Sequence, residues 1–425
     1  MKKINLILVS ITLACLGCGS DDNGNSQPVN QPPSAVVLEF PGNNVQGIDK
    51  NVSFTYDVPD GDPEGDAITY DIYLNNGTEE LLIAENHTQE SFTYNDPLGL
   101  NRNYTWRVVA KDANGAQTES EIFSFKTRKA TYESVSANYI ARRHHTAELF
   151  NNELVILGGS NADGDVFNLR SSSDGELWNP IPIYPEERRH HTSIVFNDKL
   201  WVFGGISSSN GYLTSIYNIS DISSGSGETW SVVDNTEGLL PRVSHTQVVL
   251  NDKMYIMAGV VGEFQSSSEV WSSSDGEAWQ LKNADAPFGD RTGHTSVVFD
   301  NKIWLIGGAH IVTPLSDVWY SENGTDWTMA TEQAAFGPRG SHASVVYDNK
   351  IWVYGGRDDN DNILGDLWYS EDGVTWHEAK FESTGTGEFP IGLQHASLVV
   401  KDDIMYVIGG RDNIEDYIDY TIKIQ

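Results

Sequence analysis

Arg188-Arg189-His190-His191-Thr192-Ser193-Ile194-Val195-Phe196-Asn197-Asp198-Lys199-Leu200-Trp201-Val202-Phe203-Gly204-Gly205 is the stretch that decides the fold of this 425-residue chain. It has an Arg-x-x-His head, an apolar run, a short polar turn, a second apolar run and a glycine pair. The pattern recurs. Heads stand at Arg142/His145, Arg188/His191, Arg242/His245, Arg291/His294 and Arg339/His342, and a sixth copy reads Gly392/His395. The second runs end at Gly158-Gly159, Gly204-Gly205, Ala258-Gly259, Gly307-Gly308, Gly355-Gly356 and Gly409-Gly410. Successive histidines lie 46, 54, 49, 48 and 53 residues apart, a period of about 50 that marks a repeat array.

Working outward, each glycine pair leads to a third strand, marked by Trp271, Trp319 and Trp368. A tight turn then leads to a fourth, marked by Trp178, Trp230, Trp279, Trp327 and Trp376. The second runs are continuously apolar, as strands covered on both faces require. A unit of this kind buries neither face alone, so repeats closed into a ring are the stable solution. Residues 130–425 resemble the kelch family, which implies a six-bladed β-propeller. The turns Ser172-Ser173-Asp174-Gly175 and Ser370-Glu371-Asp372-Gly373 also resemble the Asp-box hairpin of sialidases, a structural motif. The sixth copy ends after its third strand. Tyr132-Glu133-Ser134-Val135 is expected to supply the missing fourth, because Tyr132 precedes His145 by 13 residues as Trp178 precedes His191.

Before the ring, residues 35–129 hold short strand-like runs between turn residues. Tyr104, Trp106, Val108 and Ala110 alternate onto one face, as a half-buried strand requires. Leu100 with Tyr104 resembles the tyrosine corner of fibronectin type III domains, implying an immunoglobulin-like β-sandwich. The expected class is all-β: a sandwich, then a propeller. Asp60, Asp62 and Asp66 alternate in one turn, where calcium ligation is one reading and a solvated acidic turn the other.

At the N-terminus, two lysines and a short apolar run precede Cys15-Leu16-Gly17-Cys18. The run is shorter than a membrane-spanning helix. The cysteine motif resembles a bacterial lipobox, which implies cleavage after residue 17 and acylation (palmitate included) of Cys18. Ser20-Asp21-Asp22 resembles the export signal of surface lipoproteins of Bacteroidetes-type bacteria. Residues 18–34 then read as a tether. The expected place is the outer membrane, surface-exposed or facing the periplasm, held by a lipid.

Composition narrows the chemistry. With 60 acidic against 27 basic residues the net charge is −33, so a nucleic-acid partner is not expected. Both cysteines precede residue 19, leaving no later thiol, disulfide or Cys-ligated metal. Galactose oxidase, a kelch enzyme, needs a Cys–Tyr crosslink that this chain cannot form. Sialic-acid mutarotases are six-bladed kelch proteins too, so an epimerase-like isomerase is the alternative to a non-catalytic module that binds a glycan or a protein, as in polysaccharide uptake. Glu186 and Glu263 are the acids considered for it. No cofactor beyond calcium is expected.

Variable loops on one face of a ring are where binding is expected. Arg142, Arg188, Arg242, Arg291 and Arg339 are placed there as candidates to hold a carboxylate or sulfate, although their recurrence favours a scaffold role. The non-repeating Arg357, Arg411, His310, Asp358 and Asp412 are the stronger ligand candidates, with Tyr212 and Phe264 as stacking platforms. The repeated histidines belong to separate blades, so no metal ring is expected.

Overall fold

The structure is a computed structural model. It describes residues 29–425 apart from residues 97, 167, 183–185, 224–228, 234–237, 263–264, 380–381, 384–390 and 413–416. Among the described residues every regular element is a β-strand. Cys18 and its motif, Phe264 and Glu263 lie outside the described residues.

The chain divides into two compact units. The first comprises residues 1–96 and 102–126, the second residues 97–101 and 127–425. In the first, Val37–Phe40, Ser53–Asp57 and Ser91–Thr93 form one antiparallel sheet. A second sheet runs Val45–Ile48, Phe123–Thr127, Asn103–Lys111, Thr69–Asn75 and Glu80–His87. Tyr104, Trp106, Val108 and Ala110 are all buried, so alternation sorts this strand as period two dictates. Rings from both sheets meet in the core: Phe54 and Trp106 centroids are 4.9 Å apart, and so are those of Tyr56 and Tyr70. In the acidic turn, Asp62 Oδ1 accepts the backbone N–H groups of Glu64 and Asp66, and Asp66 Oδ2 accepts from Asn114. No trio of metal-ligating side chains converges among the described residues.

The second unit holds five antiparallel four-stranded meanders and a sixth sheet of five strands, in which Glu382–Ser383 adds in parallel to Thr131–Ser136. Their first strands are Thr146–Phe150, Thr192–Phe196, Thr246–Leu250, Thr295–Phe299, Ala343–Tyr347 and Ser397–Lys401. Each of these packs against the next, and the last packs against the first, closing a ring around an axial channel. Every first hairpin turns on two left-handed residues such as Asn197 (φ 49°) and Asp198 (φ 56°). Asparagine and aspartate tolerate that conformation, and a turn with both φ positive matches strand twist.

Neighbouring sheets interlock through the turn before each fourth strand. Ser273 Oγ accepts from Gly276 N, Asp275 Oδ1 accepts from two N–H groups, and Trp279 Nε1 donates to Gly276 O. A Cβ on Gly276 would lie 2.4 Å from the Trp201 ring of the preceding sheet, and one on Gly373 2.1 Å from Trp304. Only glycine lets these aromatics seat, and both glycines have positive φ.

The sixth sheet takes its fourth strand from the start of the unit. Thr131–Ser136 pairs antiparallel with Tyr420–Ile424, from Tyr132 opposite Ile424 to Ser136 opposite Tyr420. Tyr132, Ile422 and Ile424 join one buried cluster with Trp352 and Met405. Deleting residues 130–136 removes that ladder and leaves this cluster open. The expected result is a ring that melts roughly 10 °C lower or more, at about 2–4 °C per kcal/mol, read by tryptophan fluorescence.

The sixth repeat copy needs a correction. Gly159, Gly205, Gly259 and Gly308 each donate N–H to the carbonyl of the head arginine of the following copy, and Gly356 donates to Leu393 O. Leu393, not Gly392, therefore occupies the arginine place, and Ala396, not His395, the histidine place. His395 is equivalent to His144 and His190, one position earlier.

Candidate functional site

Six left-handed residues ring the top of the channel, one per sheet: His144, His190, Ser244, Gly293, Ser341 and His395, with φ between 52° and 61°. Their backbones link sideways: His190 N donates to His144 O, Ser244 N to His190 O, Ser341 N to Gly293 O and His395 N to Ser341 O. In this conformation the side chains gather at the axis. The His144 and His190 rings stack at 3.7 Å between centroids, and His395 meets His144 edge-on at 4.0 Å. Three imidazoles thus fill the side formed by sheets six, one and two. Serine, glycine and serine occupy the opposite side, and a chamber of about 350 Å³ opens there.

Burial holds all three imidazoles neutral. It is the largest cause in each, ahead of the charges of neighbouring histidines and arginines. His190 is lowered to about 4, while His144 and His395 fall well below the ordinary range. His190 Nδ1 lies 3.1 Å from Ser244 Oγ, and His144 Nδ1 is buried with no partner among the described residues. Beside them stands Arg143, partly buried, 5.6 Å over the Tyr417 ring, with Nε buried and unbonded and no ion pair among the described residues. Its charge acts on all three imidazoles, and that of Arg411 acts on His395. Arg189, by contrast, is paired with Asp165.

The head arginines do not line this mouth, which corrects their placement as ligand candidates. Arg142, Arg188, Arg242, Arg291 and Arg339 are exposed by 2% or less. Each donates to the carbonyl of its own sheet's glycine turn, as Arg291 does to Gly307 O at 2.9 Å. The second Nη of Arg142 reaches Asn168, those of Arg188 and Arg242 reach Glu186 and Glu269, and Arg291 and Arg339 grip Asp317 and Asp366 through two bonds each. Glu186 is thereby committed to Arg188. Recurrence and burial together assign these groups to the scaffold.

The head histidines latch sheet to sheet. Nε2 of His191, His245, His294 and His342 lies 2.7–3.2 Å from the threonine hydroxyl of the preceding sheet, and His145 Nε2 donates to Ile408 O. The junction of sheets five and six has Ala343 and Ala396 in these two places and no such latch.

Of the other candidates, Arg357 and Arg411 bridge Gly340 and Gln394, the positions equivalent to Arg143, so they stand on the same rim. Arg357 is half exposed and paired with Asp361 at 2.7 Å. Asp358 is spent on its own loop, accepting from the backbone of Asn360 and Asn362. His310 is exposed and pairs with Asp290 at 3.1 Å. Tyr212, in the strand Gly211–Tyr212, and Asp412 are partly buried. The structure joins Arg411 to the central cluster and leaves His310 apart from the residues that line it. Sequence reading passed over Arg143, His144 and His190. The doubled Arg-Arg-His-His of copies one and two was their signal.

Comparison with known proteins follows the same lines. A family model described as the KLHDC2/KLHL20/DRC7 Kelch-repeats domain matches residues 144–327 and 219–410, together more than half of the chain. Among solved structures, one titled "Structure of YjhT" superposes with a TM-score of 0.55 at 14% identity, over 68% of this chain and 98% of that one. No curated protein matches by sequence.

Proposed function

Since this chain belongs to the kelch-repeat family, we propose that it is a non-catalytic binding module of the bacterial cell envelope. The six sheets of the ring are read as six propeller blades, and the first unit as a fibronectin type III-like spacer. Cys18 is read as a lipidated residue, and residues 18–34 as the tether that carries the domains off the outer membrane. The ligand is a glycan or a protein segment bearing an anionic group, seated in the axial mouth.

One observation carries this reading: a guanidinium with no counter-ion among the described residues, Arg143, beside neutral imidazoles at the mouth of a 350 Å³ chamber in a chain of net charge −33. An unpaired cation is where an anion gains most. Neutral imidazoles and small hydroxylated residues supply hydrogen bonds without adding repulsion. The six-bladed isomerases suggest a rival, catalysed anomer exchange on an acidic sugar.

The test is a glycan array and affinity electrophoresis on wild type and Arg143→Ala, beside an NMR anomer-exchange assay. Arg143→Ala is expected to weaken binding by at least about tenfold, the loss of a charged hydrogen bond, with the melting curve unchanged. Exchange catalysed by wild type and lost in Arg143→Ala would replace the binding reading with the isomerase. Unaltered binding in the variant would move the site off the axis.

A further inference from the structure

A second chamber of about 210 Å³ lies along the channel, walled by the innermost strands and sharing His245, His342 and Ala396 with the first. Among its lining residues, Glu148 stands at the third position of its strand, where the other five innermost strands do not reach the chamber. Five innermost strands carry an aliphatic residue there, Ile194, Val248, Val297, Val345 and Val399, and the first carries Glu148. A scaffold role asks only for the aliphatic group, as five copies show.

Glu148 is partly buried and lines the chamber. Its protein partner is Ser193 Oγ at 2.9 Å, with no ion pair among the described residues. Around the same chamber, Gln247 has both amide atoms buried and unbonded, and the hydroxyls of Ser296 and Ser344 are buried, with no partner among the described residues. Folding strips these groups of water and returns no protein partner. They share one chemistry, hard oxygen, around one potential negative charge.

We propose that this chamber binds a single monovalent cation, sodium or potassium, with the Glu148 carboxylate as charged ligand and the chamber's amide and hydroxyl oxygens as neutral ones. Calcium sites gather several carboxylates, and softer metals take nitrogen or sulfur. One carboxylate among neutral oxygens matches a lone positive charge. The site uses neither Arg143 nor the three imidazoles of the mouth, so it stands whether or not the ligand reading above holds.

The test is thermal melting of the full chain in sodium, potassium or choline chloride at equal ionic strength and mildly alkaline pH. Trp106 is the sole tryptophan of the first unit, so tryptophan fluorescence reports chiefly the ring. Wild type is expected to melt about 2–4 °C higher in sodium or potassium than in choline. Glu148→Gln and Glu148→Val should lose that shift, and Glu148→Val, which restores the residue type of the other copies, should stay folded in all three salts. Equal wild-type midpoints in the three salts overturn the site. So does a cation-dependent rise that persists in Glu148→Val.

Discussion

Replacing Asp366 with alanine lowers the stability of the ring by about 3–5 kcal/mol, the cost of removing one partner from a buried ion pair. Asp366 receives two bonds of 2.8 Å from Arg339, whose side chain is 1% exposed, and a third of 2.6 Å from Trp368 Nε1. Without it the guanidinium stays inside the sheet, facing the Gly355 and Phe336 carbonyls and no negative charge. Asp366 is itself 26% exposed, so water returns part of the loss and the lower end of the range is the better figure. The matched control is Asp361→Asn, which keeps a residue that tolerates the left-handed backbone there (φ 66°). It removes the charge from a pair with Arg357 whose members are 76% and 49% exposed, and it should change stability by no more than about 0.5 kcal/mol. Denaturant titration followed by tryptophan fluorescence separates the two. Equal costs would return the head arginines to the pool of ligand-binding groups.

Acid should undo the ring well above the pH at which carboxylates titrate. The five latch histidines are buried, and burial is the first cause holding each below its ordinary pKa of 6.5. His145, His294 and His342 fall to about 3, and His191 and His245 lie well below the ordinary value. The unfolded chain therefore takes up protons first. The stability these groups contribute is complete above pH 6.5 and is lost as pH falls toward 3. Each can withdraw up to about 1.4 kcal/mol per pH unit in that window, so five together withdraw up to about 7 kcal/mol per pH unit, enough within one or two units to exhaust a domain's whole stability. Glu148 acts with the opposite sign. Burial raises it to about 8, so ionising it withdraws stability as pH rises from 4.5 to 8. One group against five leaves the optimum near pH 7. Melting temperature from pH 4 to 9 should fall steeply below 6, and His294→Gln should flatten that limb by close to one proton. A midpoint unchanged between pH 7 and pH 5 would contradict the neutral latch.

Much of the ring was legible because its physics repeats. Leu200–Phe203 is apolar throughout because both faces are covered, and the same constraint writes 303–306 and 351–354. The donated strand was legible as a distance, Tyr132 to His145. Two things were not. Matching letters placed His395 with the latch histidines, whereas the backbone places it with His144, because that position asks for a left-handed residue and places no demand for a particular side chain. The mouth was hidden for a related reason. Arg143, His144 and His190 sit next to the conspicuous Arg142, Arg188, His145 and His191, and only ring closure carries sheets six, one and two to the same point. Glu148 was readable as the odd residue in an aliphatic row, but its significance depends on neighbours that sequence does not align.

The pairing of Thr131–Ser136 with Tyr420–Ile424 also sets an order of events. A ribosome releases the first of these strands nearly 300 residues before the second. Until then the opening strand has no partner on its long ladder, and every growing arc presents an uncovered apolar sheet face, the kind of surface from which aggregation starts. Closure is thus the most non-local step of assembly and the one expected to set its pace.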